Sequence, residues 1–136
     1  MDAAKILKKR GLRITKIRVA ILETLGANNL ALPYSKLQKE LSRFDRTTLY
    51  RTLLILKDKG FIHKALEEKG ESYYALCSDC TSSIHNHNHV HFKCNKCSSV
   101  QCLHITKELQ LSIPKMSVNS IEITAKGTCS ACLLAD

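Results

Sequence analysis

Residues 45–62 read DRTTLYRTLLILKDKGFI, and this pattern predicts an amphipathic helix that ends at a glycine. Asp45 or Thr47 is a suitable N-cap residue, because its side-chain oxygen can accept a hydrogen bond from the first turn. Three leucines follow at helical spacing and share one face: Leu49, Leu53 and Leu56. Gly60 then provides the residue at which such helices commonly stop. We therefore expect one well-defined helix with a buried leucine face.

Three shorter helices are predicted upstream of it. Residues 2–10 form the first, and the second begins after Thr15 and ends at Gly26. Pro33 marks the start of the third, since proline is well tolerated in the first turn of a helix. Only residues 42–44 separate the third helix from the fourth. Two helices joined by so short a turn, the second rich in Arg, Thr and Tyr, predict a helix-turn-helix.

The hydrophobic period changes after this helix. FIHKAL at residues 61–66 and SYYAL at residues 72–76 are strand candidates, and the charged, glycine-containing EEKGE separates them. A β-hairpin that directly follows a recognition helix predicts a winged-helix domain. The alternative is a small helical core with a hairpin and no affinity for nucleic acid.

Charge favours the nucleic-acid interpretation. Residues 1–64 contain 15 Lys and Arg against 5 Asp and Glu, whereas residues 65–136 contain 6 against 7. A basic module favours phosphate backbones, although charge alone also fits a solvated surface. Six side chains are candidates for contacts with DNA: Arg13, Lys16, Arg46, Thr47, Tyr50 and Arg51. Arginine can clamp a guanine edge or a phosphate with two hydrogen bonds. Tyr50 can contact a thymine methyl group or, as the alternative, pack partly in the core.

The second half of the chain concentrates soft metal ligands. Six of the seven cysteines form Cys-x-x-Cys pairs, at 77/80, 94/97 and 129/132, and Cys102 stands apart from them. Residues 85–97, HNHNHVHFKCNKC, place four alternating histidines immediately before the middle pair. In a reducing compartment this cysteine spacing is typical of zinc sites, in which four thiolates surround one ion. A disulfide framework is the less favoured alternative.

The distribution of charge and ligands predicts two functional parts. We expect a DNA-binding domain at residues 1–77, a hinge with a histidine-rich insertion at residues 78–88, and a second domain at residues 89–136. No N-terminal stretch resembles a signal peptide, and the longest apolar run of the first half, residues 53–56, is far too short to span a membrane. We therefore expect a cytoplasmic protein that has no membrane partner.

Four stretches together resemble the ferric uptake regulator family of metal-responsive repressors. RTTLYRTLLILKDKGFI is similar to the signature of that family's fourth helix, and GLRIT at residues 11–15 is similar to its first-helix segment. The HVHFKCNKC run and the closing GTCSAC are similar to parts of its second domain. The resemblance covers nearly the whole chain. It implies an α+β protein, in which an N-terminal winged-helix DNA-binding domain is followed by a small α/β dimerisation domain with a structural zinc.

The resemblance implies four ligands for the structural Zn²⁺: Cys94, Cys97, Cys129 and Cys132. The chemistry agrees independently, because two Cys-x-x-Cys knuckles supply four thiolates and tie the end of the chain to the middle of the second domain. Structural zinc contributes on the order of 10–16 kcal/mol in small peptides. Cys77 and Cys80 are the alternative pair, which is less favoured because Cys80 lies in the insertion.

The resemblance also implies a regulatory metal site. His63, Cys77 and His87 match positions that zinc-sensing members use, and His89 and His91 match an HxH present across the family. Cys102 falls where many members carry an Asp or Glu ligand. Which of the clustered histidines, including His85, bind metal stays open. Thiolate and imidazole suit Zn²⁺ better than Fe²⁺ or Mn²⁺, which prefer oxygen-rich sites. Residues 30–33 read LALP and lack the histidine usual there in iron and peroxide sensors. A second Zn²⁺ is therefore expected, with iron or peroxide sensing as the alternative.

By resemblance, two chains form a homodimer through their second domains and bind double-stranded DNA with a palindromic operator. Zinc that bridges the wing and the second domain is expected to fix the spacing of the recognition helices, so that the loaded dimer represses transcription. An enzyme is disfavoured, because neither a thioredoxin-like βαβ context nor a phosphate-binding glycine loop is present. A zinc storage or carrier protein is the alternative of another class, but it would not require a basic winged helix.

Overall fold

The computed structural model describes residues 2–27, 30–76, 89–104, 113–118 and 123–135, without the side chains of His89 and His104. Within these ranges the elements follow the order α1 (Ala3–Lys9), α2 (Lys16–Gly26), β1 (Leu32–Pro33), α3 (Tyr34–Glu40), α4 (Arg46–Asp58), β2 (Ile62–Glu68), β3 (Glu71–Leu76), β4 (His89–Cys94), β5 (Val100–His104), β6 (Ile123–Gly127) and α5 (Ser130–Ala135). The strands form two three-stranded sheets, with the orders β1-β3-β2 and β5-β4-β6.

The predicted helix starts are confirmed by their caps. The side chains of Asp2, Thr15 and Asp45 each accept a backbone N–H from the residue three positions later, at 3.1, 3.3 and 3.0 Å. Such a cap stabilises a helix by about 1 kcal/mol, because it satisfies a donor that has no partner inside the helix. Two boundaries differ slightly from the prediction. Gly26 is the last residue of α2, and Pro33 is the N-cap of α3.

The four N-terminal helices pack around one apolar core with β2 and β3. Its fully buried side chains include the predicted leucine face of α4, and their largest members are Leu7, Ile21, Leu22, Leu25, Leu37, Leu41, Leu49, Leu53, Leu56 and Ile62. Burial of each such side chain contributes about 1.5–3 kcal/mol. Packing of the apolar faces of α2 and α4 in this core therefore fixes the position of the helix-turn-helix.

The wing, which is the hairpin of β2 and β3, is longer than the sequence pattern predicts. Lys69 and Gly70 form its turn, with φ of 53° and 77°, so most of EEKGE belongs to the strands. Positive φ at both turn residues matches the twist of a two-residue hairpin. The register of β2 against β3 shifts between Lys64 and Leu66, which makes Ala65 the extra residue of a β-bulge. The two-residue strand β1 pairs with the other edge of β3.

In the second sheet, β4 is the central strand. It pairs antiparallel with β5 and parallel with β6, so that Cys94 lies opposite Gly127. Strand β6 covers Ile123–Gly127 within the described residues. His104 ends β5, and residues 105–112 lie outside the described ranges.

The two sheets meet through a small apolar contact. Ala31 forms a bridge with Val100, and the Ala31 N–H donates to the Val100 carbonyl at 2.8 Å. Ala65 and Ala75 are buried in the same cluster. The expected α+β fold, a winged-helix domain followed by a small α/β domain, is confirmed. The described part of the chain contains no helix that is long and apolar enough to cross a membrane.

Candidate metal centres and DNA-reading surface

The two Cys-x-x-Cys pairs come together because β4 and β6 are parallel neighbours. Cys94 ends β4 and Cys97 lies in the turn that follows, while Cys129 follows β6 and Cys132 lies in α5. The four sulfur atoms are all within 4.8 Å of one another. The structure thus brings together the two pairs that the resemblance implies.

The sulfur positions fit a tetrahedral metal. The Cys94 and Cys132 sulfurs are 3.8 Å apart, and those of Cys97 and Cys129 are 3.7 Å apart. A regular tetrahedron of thiolates about 2.3 Å from zinc places its sulfurs about 3.8 Å from one another. Disulfide sulfurs would be separated by about 2 Å. The arrangement therefore suits a Cys₄ ion site and contains no disulfide among these four residues.

Backbone amides favour the thiolate form at one of these cysteines. The Cys94 sulfur accepts N–H groups of Cys97, Cys129 and Lys96, at 3.5, 3.4 and 3.4 Å. These hydrogen bonds, with that of Cys97 the largest cause, lower the pKa of Cys94 to about 6. The hydroxyl of Ser99, 3.0 Å away, lowers the pKa of Cys97. Since zinc binds the thiolate, the surrounding donors prepare this site for a metal.

A second cluster spans the contact between the two domains. The ligand atoms of His63, His91 and Cys102 lie within 4.8 Å of one another. His91 and Cys102 are cross-strand partners on β4 and β5, whereas His63 comes from the wing strand β2. The His63 and His91 rings are stacked, with centroids 5.3 Å apart. Ligands from both domains therefore meet at one point.

This cluster is shielded from water. Both ring nitrogens of His63 and Nε2 of His91 are buried. Burial raises the pKa of the Cys102 thiol to about 11, because a thiolate is costly in an apolar setting without a compensating charge. His63 therefore lies inside the domain contact, although it belongs to the wing. Two imidazoles and one thiol form a donor set suited to zinc.

The other three predicted ligands are not among the side chains that the structure describes. Cys77 and His87 lie outside the described residues, as do Cys80 and His85. The backbone of His89 begins β4 opposite His104, but its side chain is outside the described part. The described ligands are thus three of the six that the sequence indicated.

Four of the six predicted DNA contacts lie on the solvent side of α4, and Arg13 and Lys16 lie just before and at the start of α2. All six predicted side chains are accessible: Arg13, Lys16, Arg46, Thr47, Tyr50 and Arg51. Tyr50 is 48% exposed, and its ring packs edge-on against Tyr34 at 6.0 Å. Tyr50 is therefore a surface residue supported by one neighbour, and the core alternative is not favoured.

One contact that supports this surface was not evident from the sequence. The carboxylate of Glu71, on the wing, accepts the N–H of Ser35 at 3.0 Å. It takes the place of a side-chain cap on α3, since Pro33 offers none. Hydrogen bonding from the Ser35 side chain, followed by that from its N–H, lowers the pKa of Glu71. It joins residues 36 positions apart, and no local pattern reveals such a pairing.

Comparisons with known proteins show the family of the chain. The ferric uptake regulator family model matches residues 9–124. The chain is 30% identical over 139 aligned positions to the ferric uptake regulation protein of Staphylococcus aureus, and the match covers 96% of each chain.

Solved structures share the fold. One is a zinc uptake regulator complexed with zinc and DNA, with a TM-score of 0.66 and 24% identity, covering 98% of this chain and 91% of that one. Another is the Vibrio cholerae ferric uptake regulator, with a TM-score of 0.61 and 23% identity, covering 94% and 100%. At these identities the likeness concerns the fold.

Proposed function

The chain belongs to the ferric uptake regulator family, and from that premise we propose that it is a zinc-responsive transcriptional repressor. The observation that carries the zinc assignment is the cluster of His63, His91 and Cys102, which takes ligands from both domains. Imidazole with thiolate suits Zn²⁺ and is a poor match for the oxygen-rich sites of Fe²⁺ or Mn²⁺. The name of the staphylococcal relatives favours iron as the alternative.

The four-cysteine site has a structural role in this proposal. Cys94 and Cys97 would hold a zinc ion together with Cys129 and Cys132, and the ion would supply a cross-link between β4 and the C-terminal helix. The spacing of the sulfurs and the amide donors around Cys94 support this assignment. A closed set of four thiolates leaves no position for a substrate, as expected for a structural site.

The second cluster links metal occupancy to the recognition helix. His63 belongs to the wing, which shares a core with α4, whereas His91 and Cys102 belong to the second sheet. The ligands meet only when the wing lies against β4 and β5. A metal that binds this arrangement more tightly than the open one shifts the population towards it, by as much as the two affinities differ.

The surfaces of the described residues support DNA binding by a homodimer. Arg46 and Arg51 project from α4 on the basic half of the chain, where bidentate contacts to guanine or phosphate are available. Four exposed apolar side chains on the second domain support pairing of two copies: Leu103, Ile113, Met116 and Val118. Two symmetric chains then require a palindromic operator. A DNA-binding repressor of metal-homeostasis genes would act in the cytoplasm, and family membership disfavours an enzymatic role.

The test measures DNA affinity against buffered free zinc. A palindromic duplex is first selected from a random pool with the zinc-loaded protein, and its binding is then followed as free zinc is varied. Wild-type affinity should rise steeply with zinc and weakly with Fe²⁺. Cys102→Ser should lose the response while its structural site stays loaded.

Three results would overturn the proposal. A Cys102→Ser variant that responds to zinc like the wild type would remove the cluster from the mechanism. Failure to select any duplex, together with tight zinc binding, would favour the storage or carrier alternative. A stronger response to Fe²⁺ than to Zn²⁺ would favour the iron-sensing alternative.

A further inference from the structure

A second contact between the wing and the second domain lies beside the metal-ligand cluster. Lys93 of β4 forms an ion pair with Glu68 at the end of β2, and their side chains are only 16% and 26% exposed. The Lys93 ammonium also lies 6.0 Å from the centre of the Tyr73 ring, in the same hairpin as Glu68. The two domains are thus joined by charged groups that are not themselves metal ligands.

The β4–β5 ladder places this contact next to the sensor ligands. His91 lies opposite Cys102, and Lys93 lies opposite Val100. The two cross-strand pairs are two residues apart on each strand, so their four side chains project from the same face of the sheet. Val100 is buried against the wing and accepts the N–H of Ala31. One face of one ladder therefore carries both the metal ligands and the metal-independent contacts.

Two neighbouring glutamates of the wing form ion pairs with different lysines. Glu67 pairs with Lys64 of the same strand at 2.7 Å, whereas Glu68 reaches across to Lys93. Lys126 lies in register with Lys93 on β6 and adds positive charge on that side. The hydrogen bond from Lys93, followed by the fields of the nearby lysines, lowers the pKa of Glu68. Glu68 is therefore ionised at neutral pH and faces a positive surface of the second domain.

We propose that the Glu68–Lys93 ion pair holds the two domains in the metal-binding arrangement before the sensor metal is bound. The proposal rests on the sensor function proposed above. An ion pair between partly buried side chains is screened less by salt than an exposed pair. A site built from two domains binds metal only in the closed arrangement, and a contact that populates this arrangement raises the apparent metal affinity. Glu68 and Lys93 are thus positioning residues for the metal site.

The Ala31 amide offers a direct readout of domain opening. Its N–H is hydrogen-bonded to the Val100 carbonyl across the domain contact, and its exchange with solvent requires that bond to open. The experiment uses the full chain with the structural zinc retained and more weakly held metal removed by a chelator. Amide exchange is followed by NMR. The Phe61 amide, bonded to Leu56 inside the winged-helix domain, is the internal reference.

Glu68→Gln is expected to speed exchange at Ala31 about threefold to fivefold and to leave Phe61 unchanged, because a partly buried ion pair contributes modestly. Lys93→Gln should have the same effect, and the double variant should add little to either change. The charge-exchanged pair Glu68→Lys with Lys93→Glu should restore slow exchange.

Glu67→Gln is the matched control, since it removes a neighbouring carboxylate that pairs within the wing. Unchanged Ala31 exchange in Glu68→Gln would overturn the proposal, and so would equal acceleration by Glu67→Gln. Fully additive effects of the two single variants would also overturn it. Because the sensor site is empty throughout, this result does not depend on zinc sensing. If DNA binding by the wild type does not respond to zinc, that result counts against the proposed function alone.

Discussion

The imidazole of His63, on the wing, is stacked on the imidazole of His91, on the central strand of the second sheet, with the ring planes inclined by 28°. The two rings come from separate sheets, and Cys102 adjoins them as the cross-strand partner of His91. Movement of the wing away from β4 separates these ligands. In the proposed mechanism, metal occupancy and the position of the recognition helix are therefore two readouts of one equilibrium.

Substitution of His63 tests whether the wing supplies a ligand. His63→Ala is expected to weaken zinc binding at the sensor site by about 100-fold or more, because even outer-shell partners of metal ligands contribute 10–100-fold. The four-cysteine site lies on other elements and should keep its ion. Competition titration with a chromophoric chelator resolves the two classes of site.

Lys64→Ala is the matched control for that variant. Lys64 is the next residue of the same strand, and its ammonium pairs with Glu67. Its replacement should change zinc affinity by less than about threefold, in line with the small contribution of surface ion pairs. Equal losses in the two variants would mean that the wing as a whole, and not the imidazole, determines the affinity.

The pH dependence of zinc binding follows from the Cys102 thiol. Burial raises the pKa of Cys102 to about 11, so without metal this group carries its proton throughout the neutral range. Zinc binds the thiolate and displaces that proton, and therefore the apparent affinity should rise with pH, by up to about tenfold per unit for this group. Zinc dissociation constants measured between about pH 6.5 and about pH 8.5 give the slope.

Cys102→Ser isolates the contribution of that thiol from those of the histidines. The variant should bind zinc more weakly, and its affinity should rise less steeply with pH, with about one proton fewer released per ion. Proton release is measured by isothermal titration calorimetry of zinc binding in buffers of different ionisation enthalpy. An unchanged number of released protons would show that Cys102 does not bind the metal as a thiolate.

Local sequence patterns were sufficient to predict the helices of the first domain. The leucines of α4 and the caps at Thr15 and Asp45 each depend on residues within one or two helical turns, and sequence spacing records such relationships directly. The three Cys-x-x-Cys pairs were equally evident as zinc-type motifs, because each is local. The choice of the pairs 94/97 and 129/132 came from the resemblance to the family.

The remaining features depend on contacts between distant residues. The strand β1 has two residues, too few for any period, and it exists because β3 has a free edge beside it. The bulge at Ala65 is visible only in the register against β3. The ion pair of Glu68 and Lys93 joins residues 25 positions apart, and no sequence pattern predicts that their two surfaces come into contact. Tertiary packing, not propensity, decides these features.

The C-terminal helix should depend on its metal ligands. α5 has six residues and no buried side chain, and a helix this short is not stable alone in water. Cys132→Ser is expected to disorder α5 and to lower the free energy of unfolding by several kcal/mol, on the order seen for lost structural zinc. Thermal unfolding and the NMR signals of residues 130–135 measure the two effects.

Leu134→Ala provides the comparison on the same helix. Leu134 is 88% exposed, so its truncation removes little buried surface and should shift stability by less than about 0.5 kcal/mol. A stable, ordered α5 in Cys132→Ser would show that side-chain packing rather than metal binding holds the helix, contrary to the role assigned to the four cysteines.

Sequence reading by the fourth helix is tested at Arg51. This residue is exposed on α4 one position after Tyr50, in the half of the helix that carries the other predicted contacts. Arg51→Ala should weaken binding to the selected palindromic duplex by about 1–3 kcal/mol per half-site, since a bidentate contact to a guanine is worth that much. Binding to an unrelated duplex should fall much less.

Lys57→Ala is the matched control, because Lys57 is an exposed basic residue in the last turn of the same helix. If Lys57 contacts only phosphate, its loss should weaken both duplexes alike and reduce the salt slope by about one unit per contact. Fluorescence anisotropy over a range of salt concentrations separates the two effects. Equal loss of specific and non-specific affinity in Arg51→Ala would assign that arginine to the phosphate backbone, and base reading would then have to come from other residues of α4.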